Sequence, residues 1–223
     1  MADTCAFGQT PIRKMAMSND FALCPECGSK KIQFVQNKKW TCPDCGFDLY
    51  CNVAASVGVL IFDDENNFLF EKRAKEPKKG LLTQPGGFID ADESAEEAVE
   101  RECMEELGAR VTDIRYLGSY PNTYEYKKIT YKTCDMFFTA KIAGNKDGLK
   151  TLAEKLNAQE SEVEEVVVQK ITSAAEIDSL PLAFVSTKNA LKDFFARNSG
   201  REGDSEVSTR GGDFSEGDEL LWI

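Results

Sequence analysis

Residues 87–109 read GFIDADESAEEAVERECMEELGA, and the reading of this acidic stretch decides the fold. Ser94 followed three residues later by Glu97 is the pattern of a helix N-cap with its reciprocal partner, and Gly108 is a typical stop. Between them Ala95, Val99, Cys103 and Leu107 recur every four residues, widened by Ala98, which makes one apolar stripe for a core. Glu102, Glu105 and Glu106 stand at i, i+3 and i+4 along the edge of that stripe. Such a cluster is either a solvated acidic face or a trap for a hard divalent cation of the Mg²⁺ type, which prefers oxygen ligands. Arg101, one turn from Glu105, can hold that side chain in place, and Glu93 can reach back toward Arg101.

Working outward, VAASVGVLIFD and NFLFEKR read as strands on either side of the turn-prone residues 63–67. After the helix come two further apolar strands, VTDIRYLGSY and KTCDMFFTAKI, with PNTYEYKK read as an aromatic loop between them. Leu149, Leu152, Ala153 and Leu156 suggest a short amphipathic helix, EVEEVVVQKI a strand, and STKNALKDFFARN a closing helix. Upstream, LCPECGSKKIQFVQNKKWTCPDCGFDLYC holds two like halves. Cys24, Cys27, Cys42 and Cys45 have the spacing of a four-thiolate zinc ribbon, and a unit this small needs such a staple. Cys51, Cys103 and Cys134 fall in apolar contexts and are expected to be buried packing residues, whereas Cys5 is uninformative. The expected organisation is a flexible arm (1–22), a zinc ribbon (23–51), an α/β domain (52–197) and a disordered acidic tail (198–223).

The chain has 223 residues, 42% of them apolar, and a formal charge of -11. That charge argues against non-specific binding to nucleic acid or an anionic membrane. No apolar run is long enough for a membrane span, and no signal peptide is evident, so a soluble cytoplasmic protein is expected. There is no histidine. Metal sites and proton transfers must therefore be built from Cys, Asp, Glu, Lys, Tyr or water.

The acidic stretch matches the signature of Nudix hydrolases, Gly-x5-Glu-x7-Arg-Glu-U-x-Glu-Glu-x-Gly-U, at Gly87, Glu93, Arg101, Glu102, Glu105, Glu106 and Gly108, with Cys103 and Ala109 in the apolar U places. Fixed positions at residue frequencies of roughly 7% each coincide this fully by chance about once in 10⁸ windows. The resemblance implies an α/β/α sandwich with a mixed sheet, preceded here by the small zinc ribbon. It implies Mg²⁺- or Mn²⁺-dependent hydrolysis of a nucleoside diphosphate linked to another group. Glu102 and Glu106 would be metal ligands, Glu105 a ligand or the base, and the Gly86 carbonyl a further ligand; Arg101 and Glu93 would support them. Such families add a later carboxylate, for which Glu162 is the best-placed candidate, with Glu160, Glu164 and Glu165 as competitors.

A zinc ribbon followed by this domain resembles the NADH pyrophosphatase branch of the family, which includes enzymes that remove NAD caps from RNA. By that resemblance Tyr50, shortly after the last zinc cysteine, would line the nucleotide pocket, and a homodimer is expected by analogy. The branch's Ser-Gln-Pro-Trp-Pro-Phe-Pro-x-Ser motif is replaced by Ser119-Tyr-Pro-Asn-Thr-Tyr-Glu-Tyr126, which leaves open whether an NAD(H)-like or an ADP-ribose-like small molecule is preferred. Tyr120, Tyr124 and Tyr126 are candidates for stacking on a base, and Arg73 and Lys75 for phosphate contact. The rivals are a nucleoside triphosphate or dinucleoside polyphosphate hydrolase and, in another class, a nucleotide sensor whose ribbon binds RNA through the small basic patch of Lys30, Lys31, Lys38 and Lys39.

Overall fold

The computed structural model describes residues 21–199 apart from 128, 146 and 147. The expected arm and tail, and Cys5, lie outside the described residues save at 21–22 and 198–199. The first unit is a three-stranded antiparallel sheet, β1 (Gln33–Val35), β2 (Lys39–Thr41) and β3 (Asp48–Tyr50), in that order. Gln36 and Asn37 turn the β1–β2 hairpin at positive φ, as tight hairpin turns require. Its core is little more than Cys24, Ile32, Trp40 and Cys42, with Phe34 and Phe47 against them.

The larger unit is built on β4 (Ala54–Phe62), β5 (Asn67–Arg73), β6 (Leu82–Thr83), β7 (Val111–Tyr126), β8 (Ile129–Ile142) and β9 (Val163–Lys170). The sheet order is β6-β5-β4-β8-β7, with β9 on the other edge of β5. It is mixed: β4 and β8 run parallel from Ala54↔Thr133 to Ile61↔Ala140, and the other pairs are antiparallel. Strand alternation sends Val57, Val59, Ile61, Leu69 and Phe138 to one face, under the helix α1 (Ala95–Leu107) and the short α2 (Leu149–Ala153). Leu60, Phe68, Phe70 and Phe137 go to the other face, under a 3-10 turn at Ala174–Ser179 and α3 (Val185–Ser199). This is the α/β/α sandwich with a mixed sheet.

One feature of the sheet makes room for a site. β4 and β5 pair only beside their connecting turn, at Ile61↔Leu69 and Phe62↔Phe68, and then diverge. The segment after β6 fills the opening and bonds to β4 through Val59 N–H to the Pro85 carbonyl and Val57 N–H to the Gly87 carbonyl. A gap through the sheet is thereby walled by Gly86 and Gly87.

The expected aromatic loop after Tyr120 is instead strand. β7 continues unbroken to Tyr126, and its partner β8 begins at Ile129. Pro121 is accommodated because β7 pairs with β8 alone, and an edge strand tolerates a residue without an N–H. Cysteine packing also differs from expectation. Cys103 is buried, but Cys134 is only half-buried and Cys51 is exposed.

Candidate functional site

The helix α1 is set by its own ends. Ser94 caps the N-terminus, its hydroxyl accepting from the Glu97 N–H while Glu97 reaches back to the Ser94 N–H, and Gly108 closes the C-terminus in the left-handed conformation. Ala98, Val99, Cys103 and Leu107 are fully buried against the sheet. That docking turns Glu102 and Glu106 into the gap between β4 and β5 and leaves Glu105 more exposed.

Arg101 organises the acidic groups around it. Its Nε and Nη2 donate to the two oxygens of Glu93 at 2.8 and 3.0 Å, its Nη1 to Glu102 at 2.8 Å and to Glu105 at 3.4 Å, and its Nη2 also to the Phe88 carbonyl at 3.0 Å. The Arg101 side chain holds the Glu93 carboxyl below its ordinary range. Glu106 is anchored differently, accepting the Gly86 N–H at 2.8 Å. Both glycines are required here. A Cβ at Gly87 would sit 2.4 Å from Glu102 Oε1, and one at Gly86, where φ is 142°, would sit 2.2 Å from the Val57 carbonyl oxygen.

The electrostatics point to missing positive charge. Burial, reinforced by Glu102 and Glu162, pushes the Glu106 carboxyl up to about 8, against the pull of the Gly86 N–H. Burial also raises Glu102, with Arg101 opposing. Glu71 was not anticipated. It lies on β5 two residues beyond Leu69, hence on the α1 side of the sheet, and is 2% exposed. Its Oε1 has no hydrogen-bond partner, and burial together with Glu106 and Glu102 raises its carboxyl well above the usual range. A carboxylate in the inward register of an otherwise apolar strand was the available signal. Hard oxygen donors, buried and repelling one another, suit a divalent cation that keeps part of its water shell.

The gap opens into a cavity of about 330 Å³. Its wall includes Gly86, Glu102, Glu105, Glu106 and Glu162, so those expected residues come together around one space. Arg73 and Tyr124 also line it, as does Lys75, which pairs with Glu162. The Arg73 guanidinium lies 5.3 Å over the Phe184 ring, and its Nε is held by the Pro77 carbonyl at 2.8 Å. Phe88, Tyr124 and Phe184 form an aromatic side, with centroids 5.6 Å apart for Phe88 and Tyr124 and 5.9 Å for Tyr124 and Phe184. Arg101 and Glu93 stand behind the wall and shape it.

Three expected contacts lie elsewhere, among them Tyr126, which is exposed beside Lys127 and outside the cavity wall. Tyr120 does not line the cavity: its hydroxyl donates to Asp193 Oδ2 on α3 at 2.8 Å, and its ring packs on Phe137. Burial and that carboxylate raise the phenol above its usual range, consistent with a packing position. Tyr50 is 58% exposed on β3 beside Lys39, outside the cavity wall. Sequence reasoning missed Phe88, Phe184 and the polar residues Ser56, Asn122, Thr133 and Asp135, which line the cavity from three strands.

In the ribbon, Cys24 Sγ lies 3.7 Å from Cys45 Sγ and Cys27 Sγ 3.7 Å from Cys42 Sγ, with all four within 4.8 Å of one another. A tetrahedron with Zn–S bonds of about 2.3 Å has edges of about 3.8 Å, so the four thiols fit zinc. Each knuckle closes by a 2.9 Å bond, Gly28 N–H to the Cys24 carbonyl and Gly46 N–H to the Cys42 carbonyl. No helix among the described residues is long and apolar enough to cross a membrane.

Residues 53–193 match the family model for the NUDIX domain. A NAD-capped RNA hydrolase NudC of Haemophilus influenzae is 33% identical over 100 residues, 44% of this chain and 38% of that protein. The NudC of Deinococcus radiodurans is 27% identical over 177 residues, 78% of this chain and 56% of that protein. The matched region thus spans well under two thirds of these curated relatives. Among solved structures, a NUDIX hydrolase from Nitrosomonas europaea aligns with a TM-score of 0.51 at 24% identity, over 80% of this chain and 92% of that one. A MutT/nudix family protein from Enterococcus faecalis aligns at 0.52 and 19%, over 70% and 66%. These two likenesses concern the fold alone.

Proposed function

The chain belongs to the Nudix family, and on that premise we propose that it hydrolyses the diphosphate bond of a nucleotide linked through diphosphate to a second group, releasing two monophosphates. NAD(H)-like and ADP-ribose-like molecules are the substrate class. The observation that carries the reading is the convergence of Glu102, Glu105, Glu106 and Glu162 on one cavity that also presents Arg73, Lys75 and an aromatic side.

Glu102 and Glu106 would hold the divalent ion, Mg²⁺ or Mn²⁺, with Glu162 and the Gly86 carbonyl as further oxygen donors. When bound, that ion supplies positive charge against the diphosphate and acidifies a water for attack on phosphorus. The chain's own groups do the rest. Arg101 fixes the angle of Glu102 and, by drawing Glu93 and the Phe88 carbonyl to itself, holds the 86–93 segment against the helix. The Gly86 N–H keeps one oxygen of Glu106 directed at the segment. Glu105, exposed and only loosely drawn to Arg101, is free to accept the proton that the attacking water loses. Arg73 and Lys75 offer positive charge to the phosphates, and the flat faces of Phe88, Tyr124 and Phe184 suit a base or nicotinamide ring. Zinc in the ribbon would be structural, since four thiolates leave no open position.

The test is a hydrolysis panel with Mg²⁺ and with Mn²⁺, comparing kcat/KM for NADH, NAD⁺, ADP-ribose, diadenosine polyphosphates and nucleoside triphosphates, with NAD-capped RNA as a further arm. Preference for a diphosphate-linked dinucleotide or ADP-ribose supports the proposal. Preference for triphosphates redirects the substrate class, and binding without turnover of any compound favours a sensor.

A further inference from the structure

Part of the cavity lining is a polar group that the chemistry proposed above leaves unused. Ser56 of β4, Asn122 of β7 and Thr133 and Asp135 of β8 make it up. Their meeting is a matter of register. Ser56 is the Cα partner of Asp135, and Asn122 is the partner of Thr133. Thr133 and Asp135 alternate with Phe137 onto the α3 side of the sheet.

Asp135 is 8% exposed and holds the group together: Oδ1 accepts the Ser56 hydroxyl at 2.6 Å and Oδ2 accepts Asn122 Nδ2 at 2.9 Å. Each carboxylate oxygen accepts about two hydrogen bonds, so each retains an acceptor position. Among the described residues no lysine or arginine pairs with it. Thr133 is 4% exposed, and its Oγ1 has no partner although the residue lines the cavity. A ligand that satisfies these groups must bring N–H or O–H donors and no negative charge.

We propose that this wall, centred on Asp135 and Thr133, is the subsite that selects the end of the substrate: it takes an uncharged amino-bearing group, either the carboxamide of a nicotinamide or the exocyclic amine of an adenine, and rejects an anionic or donor-free counterpart. The inference rests on the diphosphate-hydrolase reading and adds its specificity. Asp135 and Thr133 touch the substrate at a point away from the bond that breaks. Their replacement therefore alters discrimination between substrates more than the rate on any one of them.

The experiment compares kcat/KM for NAD⁺, its carboxylate analogue nicotinic acid adenine dinucleotide, and its hypoxanthine analogue, in wild type, Asp135→Asn and Thr133→Val. Wild type should prefer NAD⁺ over one of the analogues by at least about tenfold. If the disfavoured analogue is the carboxylate and Asp135→Asn erases the preference, the nicotinamide end occupies the wall. If it is the hypoxanthine analogue, the adenine end does. Thr133→Val, which removes the hydroxyl with little change of shape, should raise KM for NAD⁺ severalfold. A purely structural threonine would leave KM unmoved. Less than twofold discrimination in both pairs, or full discrimination retained in Asp135→Asn, overturns the proposal. Should wild type turn over none of the three, calorimetric binding of the same compounds in Ca²⁺ reads the same pairs. Discrimination in affinity would then retire the hydrolase reading alone, and its absence would retire the subsite.

Discussion

The ribbon and the carboxylate cavity are both collections of ligand atoms, but they are arranged in opposite ways. Among the described residues, the four cysteines are the one group of three or more His, Cys, Asp or Glu side chains whose ligand atoms lie within 4.8 Å of one another. Two knuckles bring the thiols together with local backbone bonds alone. The carboxylates of the cavity are instead held apart, Glu102 by Arg101, Glu106 by the Gly86 N–H, and Glu162 by Lys75. Four cysteines can stand in contact without metal because their thiols need not all be ionised at once, and metal binding releases the protons that remain. Ionised carboxylates repel, and a site that must admit both a cation and a diphosphate keeps its ligands on separate supports. Compactness therefore marks the structural centre, and supported separation marks the reactive one.

The contrast is broken most forcefully at the ribbon. Cys42→Ser should abolish zinc binding, which in such small units is worth on the order of 10 kcal/mol of folding. Elemental analysis should fall from one zinc per chain to near none, and Trp40, buried in the ribbon core, should become water-exposed by fluorescence. Retention of stoichiometric zinc would mean that the four thiols are not the ligand set.

In the cavity the effect should be kinetic rather than structural. Glu106→Gln keeps an acceptor for the Gly86 N–H but loses the charge. We expect kcat to fall by at least about 10³-fold, or about 4 kcal/mol, with unchanged circular dichroism. Next in size is Arg101→Lys, which removes the forked grip on Glu93 and the reach to Glu102 and the Phe88 carbonyl. Loss of that support should cost about 10- to 100-fold in divalent-ion affinity, measured by titrating turnover with Mn²⁺.

The smallest effect is on stability. Glu106 is raised in the folded chain, to about 8, above its unfolded value of 4.5, and Glu71 is raised as well. Between those values the folded state binds more protons than the unfolded state. Stability is therefore greatest at the acid end of the window and is lost as pH rises from about 5 to 8. Without divalent ion, the melting temperature should drop on the order of 5 °C across that range. Glu71→Gln should flatten the slope, and added Mg²⁺ should do the same in the wild type. A melting temperature independent of pH and of Mg²⁺ would show that the cavity carries no charge deficit.

What could be read from the sequence follows how local each feature is. The helix α1 is specified within fifteen or so residues by Ser94, Glu97, the apolar stripe and Gly108, so its glutamates could be placed without a structure. The cysteine knuckles are equally local. Glu71 and the Ser56–Asp135 pair depend on strand register across the sheet, which no short stretch encodes. Tyr120 and Tyr124 share a face of β7, and only the packing of α3 separates them, closing over Tyr120 and leaving Tyr124 at the cavity. The aromatic segment that carries them was legible in composition but not in conformation, because its pairing with β8 is set across the sheet.

The most direct test of the central claim is the turnover of NADH and ADP-ribose by protein dialysed free of Mg²⁺ and Mn²⁺, with its zinc retained, as Mg²⁺ is titrated back. The account predicts no hydrolysis before addition and a saturable rise to full turnover, yielding two monophosphates per substrate. Full turnover before any divalent ion is added, with zinc content unchanged, would contradict it.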